Sequence, residues 1–380
     1  MTFLNTTDAQ YHALLETVIK QPFRNDRTGT GTKSIFGYQM RFSDIARRFP
    51  LLTTKKVFFR GVFEELRWML GGDDNIKPMV DKGVNLWNDW VLKAYNAAHP
   101  EAPLSDDAYI EAVKNNAIPE EWYRVGPCYG VQWRNWPVVE TSEGDEDPFQ
   151  KVTWKVDEDS GGEFHGDLRV SGHDQLARVR NTLIFKPEDR RMIVSAWNAP
   201  WVEEMARKGL PPCHVMFQFY TRELTMVERV AASGMGNIFR GTSEYGNAMR
   251  GDENAVTTIE RELDEAGAPT RFLDCQVYIR SNDLLLGAPF NMAQYALLTT
   301  LMAHSVGMVP GDLVYTIGDA HAYRNHLDQI NEQLSRESKG DEPRVIVKGE
   351  PKADLKDYTW EDIELIDYDA HPAIKAPVAI

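Results

Sequence analysis

The sequence predicts an α+β fold in one domain. Segments with the helical period and segments with the two-residue period of strands follow one another without a regular strand–helix–strand rhythm, which argues against a doubly wound parallel sheet. The chain has 380 residues, 42% of them hydrophobic, so it can bury a large core.

The predicted elements follow from periodicity and from the residues at their ends. Residues 7–21 place Tyr11, Leu14 and Val18 on one helical face, with Thr7 as the expected N-cap. Residues 36–42 alternate like a half-buried strand, and a helix over 62–70 ends at a Gly-Gly pair. Further helices are predicted at 174–185, 290–306 and 320–334, and further strands at 191–197, 215–221, 275–281, 344–348 and 360–368.

Three stretches differ in composition and are predicted to be insertions at the surface of this domain. Residues 91–124 are rich in Ala, Asn and acidic side chains, residues 137–172 are loop-like, and residues 222–271 contain an acidic amphipathic helix. For the third stretch, a small subdomain is the alternative interpretation.

Charge and cysteine content restrict the class of protein. A net charge of −15 argues against a binder of polymeric DNA or RNA, although a local arginine cluster can still bind one small phosphate. The three cysteines form no disulfide framework or metal-binding spacing, and no segment resembles a signal peptide or membrane span. We therefore expect a cytoplasmic protein without a metal site.

Two side chains are candidate reacting groups. Cys213, in Pro-Pro-Cys-His, is a possible nucleophile because nearby cations promote ionisation of a thiol, although a lone cysteine before a strand is more often inert. His214 would point to the opposite face of a strand, so a protease-like Cys–His pair is not expected. Glu65 lies in an apolar helical segment, where it is either exposed or a buried acid–base group with a raised pKa.

Other polar side chains are candidate ligands. Arg190 and Arg191 follow a turn, where paired guanidinium groups suit a phosphate, although solvated surface charge is the simpler interpretation. Arg280 ends an apolar strand, an unusual place for a charge unless it meets an anion. On an extended segment His321 and Tyr323 would face the same way.

Taken together, a series of segments resembles the thymidylate synthase family, in the family's order. They are RNDRTGTGT, FPLLTTKK, EELRW to GGDDN, LWNDW, GPCYGVQWRNW, DRRMIVSAWN, LPPCHVMFQFY, RSNDLLLGAPFNMAQYALL, GDAHAYRNH and IKAPVAI. The resemblance implies a single domain whose mixed sheet packs back to back against a second copy in a homodimer.

The resemblance also implies that the substrate is dUMP. Cys213 matches the nucleophile that adds to C6, and Asn291 matches the amide that reads the uracil N3–O4 edge. Glu65 matches a carboxyl that relays protons to O4, and Tyr129 a tyrosine associated with removal of the C5 proton. The implied phosphate ligands are Arg27, Arg280 and Ser281, with Arg190 and Arg191 of the partner subunit; the implied ligands of the 3′-hydroxyl are His321 and Tyr323.

The implied co-substrate is 5,10-methylenetetrahydrofolate, which donates both carbon and hydride and leaves dTMP and dihydrofolate. Asp283 matches a folate contact, and we expect it to be a catalytic residue as well. The C-terminal Ile380 would close over the folate, and a closed, dry site favours hydride over water. The other implied folate contacts are Leu86, Trp87, Gly287 and Phe290.

Three positions depart from the family pattern. Ile279 stands where Gln usually precedes Arg-Ser, Asn282 where a small residue usually follows it, and Arg67 where an apolar residue is usual. Simple explanations are an ordinary change of packing in the strand at Ile279 and, at Arg67, an exposed charge balanced by the acidic insertions.

Phage deoxycytidylate hydroxymethylases share the RSND pattern, so capture of water to give hydroxymethyl-dUMP is the main alternative. The IKAPVAI tail favours the synthase, and so does Asn291, where hydroxymethylases of cytosine carry Asp. A non-catalytic nucleotide-binding protein is a remote alternative, against which the presence of Cys213 and Glu65 argues.

Overall fold

The computed structural model describes residues 6–26, 28–141, 168–208 and 211–378. Within these ranges the strands are β1 (Phe23–Arg24), β2 (Thr32–Phe42), β3 (Trp136–Thr141), β4 (Leu168–His173), β5 (Ile193–Ser195), β6 (His214–Glu223), β7 (Arg271–Asp283), β8 (Val309–Tyr323), β9 (Arg344–Val347) and β10 (Ile363–Ile366). The α-helices are α1 (Thr6–Ile19), α2 (Phe59–Gly71), α3 (Lys77–Val80), α4 (Asn88–Ala98), α5 (Asp106–Lys114), α6 (Gly130–Arg134), α7 (Gln175–Phe185), α8 (Val202–Lys208), α9 (Met226–Ala232), α10 (Gly236–Phe239), α11 (Ser243–Ala248), α12 (Glu253–Glu265), α13 (Gly287–Ser305) and α14 (Leu327–Leu334).

A six-stranded mixed sheet forms the centre of the domain, in the order β1-β2-β8-β7-β6-β5. Strands β7 and β8 are parallel, and every other neighbouring pair is antiparallel. Helices and a mixed sheet without repeated strand–helix–strand units confirm the predicted α+β class. No helix among the described residues is long and apolar enough to span a membrane.

Helix α13 lies against β7 and β8 and is surrounded by protein. Every residue from Met292 to Ala303 is buried, as expected for a helix that is apolar on all sides. Its N-terminal turn follows β7 closely, so the residues at the end of that strand and those at the start of α13 meet at one edge of the sheet. The candidate site lies at this edge.

Most predicted elements are present, but the interpretation of residues 320–334 as one helix is wrong. Ala320 belongs to β8, which runs to Tyr323, and α14 begins only at Leu327. Pairing with β2 on one side and β7 on the other holds this segment extended, which outweighs its helix-forming composition. The first part of β8 was not predicted from the sequence at all.

The start of α1 also differs from its prediction. Thr7 lies inside the helix instead of capping it, because the carboxylate of Glu342 accepts hydrogen bonds from the N–H groups of Thr6 and Thr7. A residue distant in sequence thus satisfies the free donors of this helix end.

The three predicted insertions differ in how they pack. Tyr109 and Val113, in the first, are fully buried in the main core. The described ends of the second pair as β3 and β4, while residues 142–167 lie outside the described ranges. The third contains α9 to α12, which enclose a hydrophobic cluster of their own, made of Met226, Val230, Phe239, Ala248, Ala255, Ile259, Leu263 and Ala268.

Candidate active site

Cys213 is half-buried at the start of β6, between a tyrosine and an arginine. Its backbone N–H donates a 2.8 Å hydrogen bond to the hydroxyl of Tyr129. Its carbonyl accepts a 2.9 Å hydrogen bond from the backbone N–H of Arg280 on β7. Two elements distant in sequence therefore fix the backbone on either side of the thiol.

The guanidinium group of Arg280 holds the turn before Cys213. Its Nε and Nη2 donate to the carbonyl oxygens of Pro212 and Pro211, at 3.0 and 2.9 Å. Burial raises the pKa of the Cys213 thiol, while the charge of Arg280 and the Tyr129 hydroxyl act in the opposite direction. Burial is the largest cause that raises the pKa of Cys128 and Cys275, each to about 12, and the charges of Asp74 and Asp274 add to it. Among the described residues, Cys213 is therefore the one cysteine whose pKa a neighbouring cation acts to lower.

Tyr129 adopts a backbone conformation that is unusual for a residue with a side chain. Its φ is 38°, and the next residue, Gly130, approaches α2 so closely that a Cβ would lie 2.1 Å from the carbonyl oxygen of Met69. This close approach directs the Tyr129 ring inward, where it lies 5.7 Å from the Trp87 ring and 5.0 Å from the His214 ring. The strain thus belongs to a residue that touches the candidate nucleophile.

Glu65 projects from α2 toward the region of Cys213, Tyr129 and Trp87, whose side chains form one wall of the candidate site. Its carboxylate accepts hydrogen bonds from the Trp87 indole, at 2.8 Å, and from the Gln294 amide, at 2.9 Å. Burial raises the pKa of Glu65 to about 7, against the opposing effect of these two donors. Of the two interpretations left open by periodicity, the structure agrees with the acid–base group, because the half-buried Glu65 carboxyl has a raised pKa and can exchange a proton near neutral pH.

Asn291 lies on the first turns of α13, and its side chain is close enough to His214 and Tyr315 to affect both: it acts to raise the pKa of His214 and to lower the pKa of Tyr315. Burial lowers the pKa of His214 to about 4, so this imidazole is neutral at pH 7. Asn291 and Gln294 are three residues apart on one helix and face the same region. A carboxamide and a carboxylate network therefore line neighbouring parts of one wall.

Asp283 lies where β7 turns into α13. It accepts hydrogen bonds from the N–H groups of Leu285 and Leu286 and lies 3.7 Å from Nδ1 of His326. Burial acts to raise the pKa of Asp283, but His326, His321 and the Leu285 N–H outweigh it, so the pKa lies below its ordinary value. The other nitrogen of His326 bonds to the Pro377 carbonyl at 2.7 Å, which ties the C-terminal segment to this cluster.

The end of β8 brings the predicted sugar ligands together. The rings of His321 and Tyr323 lie 5.0 Å apart on an extended segment, and His321 pairs with Asp283 across the parallel strands. Ser281, half-buried, pairs with Asp319 in the same register.

The loop before β2 reaches this strand end as well. Asp26 accepts hydrogen bonds from the N–H groups of Thr28 and Gly31, and the carbonyl of Gly31 accepts one from Arg324. Arg27, between these residues, lies outside the described residues, as does Ile380.

The remaining predicted residues divide into two groups. Leu86 and Phe290 are half-buried against the main core, each next to a residue of the site wall. Arg190 and Arg191 are exposed. The Arg191 guanidinium donates two hydrogen bonds to the side chain of Asp189 and the Arg191 backbone N–H donates a third, and among the described residues Arg191 makes no bond to Cys213 or its neighbours.

The three departures from the family pattern have different surroundings. Ile279 is fully buried in the core, in register with Ile317 of β8. Arg67 donates to the carbonyl of Lys356, at 3.4 Å, and not to an acidic insertion. Asn282 is buried, and its Oδ1 accepts a 2.6 Å hydrogen bond from the Tyr315 hydroxyl.

Several residues of this wall were missed by the sequence analysis, and only some left a signal. Gln294 is a polar side chain within an otherwise apolar helical run, which could have marked it. The partnership of Tyr315 with Asn282, and of His326 with Asp283, depends on strand pairing that no local pattern encodes. Among the described residues, no three His, Cys, Asp or Glu side chains are placed to hold a metal ion.

Comparison with known proteins agrees with this geometry. The family model described as thymidylate synthase matches residues 9–245 and 256–380. A thymidylate synthase of Mycoplasma pneumoniae is similar, at 35% identity over 373 residues, which cover 98% of this chain and 99% of that protein. The match extends over both sides of the sheet and the whole site wall, and the chain belongs to the thymidylate synthase family.

Proposed function

We propose that this chain catalyses the reductive methylation of dUMP at C5, with 5,10-methylenetetrahydrofolate as carbon and hydride donor, to give dTMP and dihydrofolate. Family membership supports the reaction class. The observation that carries the proposal is the position of Cys213 between Arg280 and Tyr129, on a wall that also presents the half-buried Glu65 carboxyl with its raised pKa.

In this proposal Cys213 adds through Sγ to C6 of the pyrimidine. Because C6 is a weak electrophile, the attacking sulfur must be ionised, and Arg280 supplies the nearby positive charge. The hydrogen bonds from Arg280 to the two proline carbonyls hold the thiol in one place, so little ordering remains for the reacting complex.

Attack on C6 moves negative charge to O4 of the base. Asn291 would meet the N3–O4 edge, and Glu65 would exchange a proton with O4 through water, for which a pKa of about 7 is well suited. Tyr129, whose raised pKa keeps its hydroxyl protonated, would assist removal of the C5 proton beside the sulfur.

The nucleotide's sugar and phosphate would occupy the edge of the sheet. His321 and Tyr323 would bind the 3′-hydroxyl, and the phosphate would lie among Arg280, Ser281 and Arg27. Two sets of bonds support this position: Asp26 accepts from the N–H groups of Thr28 and Gly31, which holds the loop closed, and the Arg324 N–H donates to the Gly31 carbonyl, which fixes the loop beside the end of β8.

The described residues fit a reduced folate, which when bound would supply the one-carbon unit and the hydride. The Trp87 ring lies 5.8 Å from that of Trp90 and 5.6 Å from that of Trp68, centre to centre, with the planes tilted by 49° and 52°, and this aromatic cluster offers an apolar surface against which a pterin could pack. Leu86, Phe290 and Gly287 would line the same space, and Asp283 would meet the polar edge of the ring. Attachment of Pro377 to His326 supports closure by the tail that ends at Ile380.

We also propose that two copies share each site in a homodimer. Large apolar side chains are exposed on the central sheet, with Tyr220 at 56% and Ile193 at 36% exposure. They lie on one face of the sheet, because Ile193 pairs with Gln218 and Tyr220 is two residues after Gln218 on β6. The exposure of Arg190 and Arg191, remote from Cys213 in their own chain, supports a role in the partner's phosphate site.

The three free cysteines support a reducing, cytoplasmic location.

The test is mass spectrometry of the nucleotide formed from dUMP and methylenetetrahydrofolate, with dihydrofolate followed in the same tube. We expect dTMP and an equal amount of dihydrofolate. A product one oxygen heavier than dTMP, with tetrahydrofolate as the second product, would mean that water captures the intermediate and would overturn the reductive step.

A further inference from the structure

Tyr315 and Asn282 form a buried polar pair directly behind Asn291. The Tyr315 hydroxyl donates a 2.6 Å hydrogen bond to Oδ1 of Asn282, and both side chains are at most 2% exposed. Tyr315 lies on β8 and Asn282 near the end of β7, so the pair is fixed by the parallel strand pairing at the centre of the sheet.

The pair touches Asn291 on one side. The Asn291 side chain acts to lower the pKa of Tyr315, which is the effect of a neighbouring group that donates toward the hydroxyl oxygen. Gly287 shows the same proximity independently, since a Cβ there would lie 3.2 Å from Nδ2 of Asn282 and 3.8 Å from Nδ2 of Asn291. The amino end of the Asn291 carboxamide therefore lies on the side of the Tyr315–Asn282 pair.

The single proton of the Tyr315 hydroxyl favours the orientation in which the amino end of the Asn291 carboxamide faces Tyr315. A tyrosine hydroxyl has one proton to donate, and that of Tyr315 is committed to Asn282. Burial keeps the pKa of Tyr315 well above its ordinary value, so the hydroxyl keeps this proton at neutral pH. Toward Asn291 the hydroxyl oxygen can only accept, and only the amino group of the carboxamide can donate to it.

The orientation matters because the two ends of a carboxamide read opposite base edges. With its oxygen at N3 and its amino group at position 4, the amide pairs with uracil, which presents N3–H and the O4 acceptor. Turned by 180°, the same amide pairs with cytosine, which presents an N3 acceptor and a 4-amino group. An asparagine that turns freely would accept either base.

We propose that Tyr315 and Asn282 are positioning residues that hold the Asn291 carboxamide in its uracil-reading orientation and so exclude deoxycytidylate. The inference rests on the proposed function, in which Asn291 reads the pyrimidine. It gives Asn282, a departure from the family pattern, a role in choosing the base.

The test measures dissociation constants of dUMP and dCMP by calorimetry without folate, at pH 7, in the full-length protein. Tyr315→Phe removes the acceptor that holds the amino group of Asn291. We expect the dCMP/dUMP ratio of dissociation constants to fall at least about tenfold, mainly through tighter dCMP binding, while the dUMP constant changes by less than about threefold.

A second variant, Asn282→Ala, keeps the Tyr315 hydroxyl but frees its proton. That proton can then be donated to the Asn291 oxygen, which favours the turned amide, so we expect the ratio to fall at least as far as in Tyr315→Phe. Because both changes act through one orientation, the double variant should match Tyr315→Phe and show no further decrease.

Tyr295→Phe is the matched control. Tyr295 is as deeply buried, lies one turn after Asn291 on α13, and has a hydroxyl without a hydrogen-bond partner among the described residues. Its removal should leave the ratio unchanged. A general loosening of the site would weaken both nucleotides in parallel and leave the ratio unchanged, so the ratio reports orientation alone.

The outcomes separate the inference from the function on which it rests. If wild type prefers dUMP and folded Tyr315→Phe or Asn282→Ala keeps that preference, the positioning role is overturned and the proposed function stands. If wild type itself binds dUMP no better than dCMP, the proposed substrate is wrong and the inference falls with it. Thermal unfolding of each variant establishes that it is folded.

Discussion

The backbone N–H of Cys213 donates a 2.8 Å hydrogen bond to the hydroxyl of Tyr129, a residue held at φ 38° by the close packing of Gly130 on α2. This bond joins the candidate nucleophile to a strained turn on another element. The Tyr129 hydroxyl holds the backbone of Cys213 and also carries a proton next to its thiol. We therefore expect it to contribute both to the stability of the fold and to the rate of the proposed reaction.

Tyr129→Phe should separate these effects. Loss of the acceptor leaves the Cys213 N–H without its partner, which should lower the free energy of unfolding by about 1 kcal/mol. Loss of the hydroxyl beside C5 should lower kcat by about 100-fold or more. Urea unfolding and steady-state kinetics measure the two, with Tyr295→Phe as the control; a kcat within twofold of wild type would contradict the proposed role.

Glu65 should make stability depend on pH. In the unfolded chain the carboxyl loses its proton near the ordinary glutamate pKa of 4.5, whereas the folded one keeps it up to a pKa of about 7. The folded state binds more protons between these values, so stability should fall as pH rises from 4.5 to 7, by at most about 3 kcal/mol, and then level off.

Glu65→Gln should remove this dependence and should be more stable than wild type at pH 8. Urea unfolding at pH 5 and pH 8 measures the difference for each protein. Glu121→Gln, a change at an exposed position, is the control and should keep the wild-type dependence. An unchanged pH dependence in Glu65→Gln would show that the carboxyl titrates normally in the folded chain.

Arg280→Met should raise the pKa of the Cys213 thiol, because it removes the cation that favours the thiolate. The pH dependence of alkylation by iodoacetamide, located by peptide mass spectrometry, reports this pKa. The midpoint should move to higher pH in Arg280→Met, and Arg280→Lys should restore part of the shift. Cys128 and Cys275 should stay unmodified in the folded protein, and an unmoved Cys213 midpoint would remove Arg280 from the activation of the nucleophile.

Mixing two inactive variants tests the shared site. Arg190→Ala subunits keep Cys213, and Cys213→Ser subunits keep Arg190, so each mixed dimer has one intact site. Random exchange of equal amounts should restore about a quarter of wild-type activity. Cys213→Ala mixed with Cys213→Ser should restore none; absence of restoration in the first pair, with exchange demonstrated by mass-tagged subunits, would show that each chain builds its site alone.

Removal of α9 to α12 tests whether the third insertion is independent of the main core. Glu223 and Arg271 pair across β6 and β7, and the Leu224 N–H bonds to the Thr270 carbonyl at 2.9 Å, so the strands already meet at the base of the insertion. Replacing residues 225–269 by Asn-Gly should give a two-residue hairpin with little loss of stability. Cooperative unfolding and a kcat within about threefold of wild type are expected; loss of the cooperative transition would place these helices in the main fold.

The sequence predicted the elements with strong local signals and missed those defined by pairing. Helix α13 was predicted to within three residues at its start, because its apolar run has clear limits. Strand β8 was missed over Val309 to Asp319 and assigned as helix beyond it, because its conformation depends on β2 and β7, which are remote in sequence.

The site shows the same division. Cys213, Glu65 and Asn291 were predicted by position in matching motifs, and the structure adds the contacts that sequence does not encode. The Tyr315–Asn282 hydrogen bond joins two strands, and the Glu65–Gln294 bond joins two helices. Neither has a periodic pattern, since each requires only that two polar side chains meet in an apolar interior.

Helix α13 carries both Asn291 and Gln294, one turn apart, on a rod enclosed by protein along the rest of its length. A displacement of this helix would move two amides by the same amount: that of Asn291, proposed to select the base, and that of Gln294, which donates to the carboxyl proposed to exchange the proton. In the proposed function, affinity for the nucleotide and speed of the chemical step are therefore linked. Mutations near the C-terminal end of α13 should change nucleotide affinity and the rate of the chemical step together. Variants that change only one of the two are expected at the strand ends that line the site.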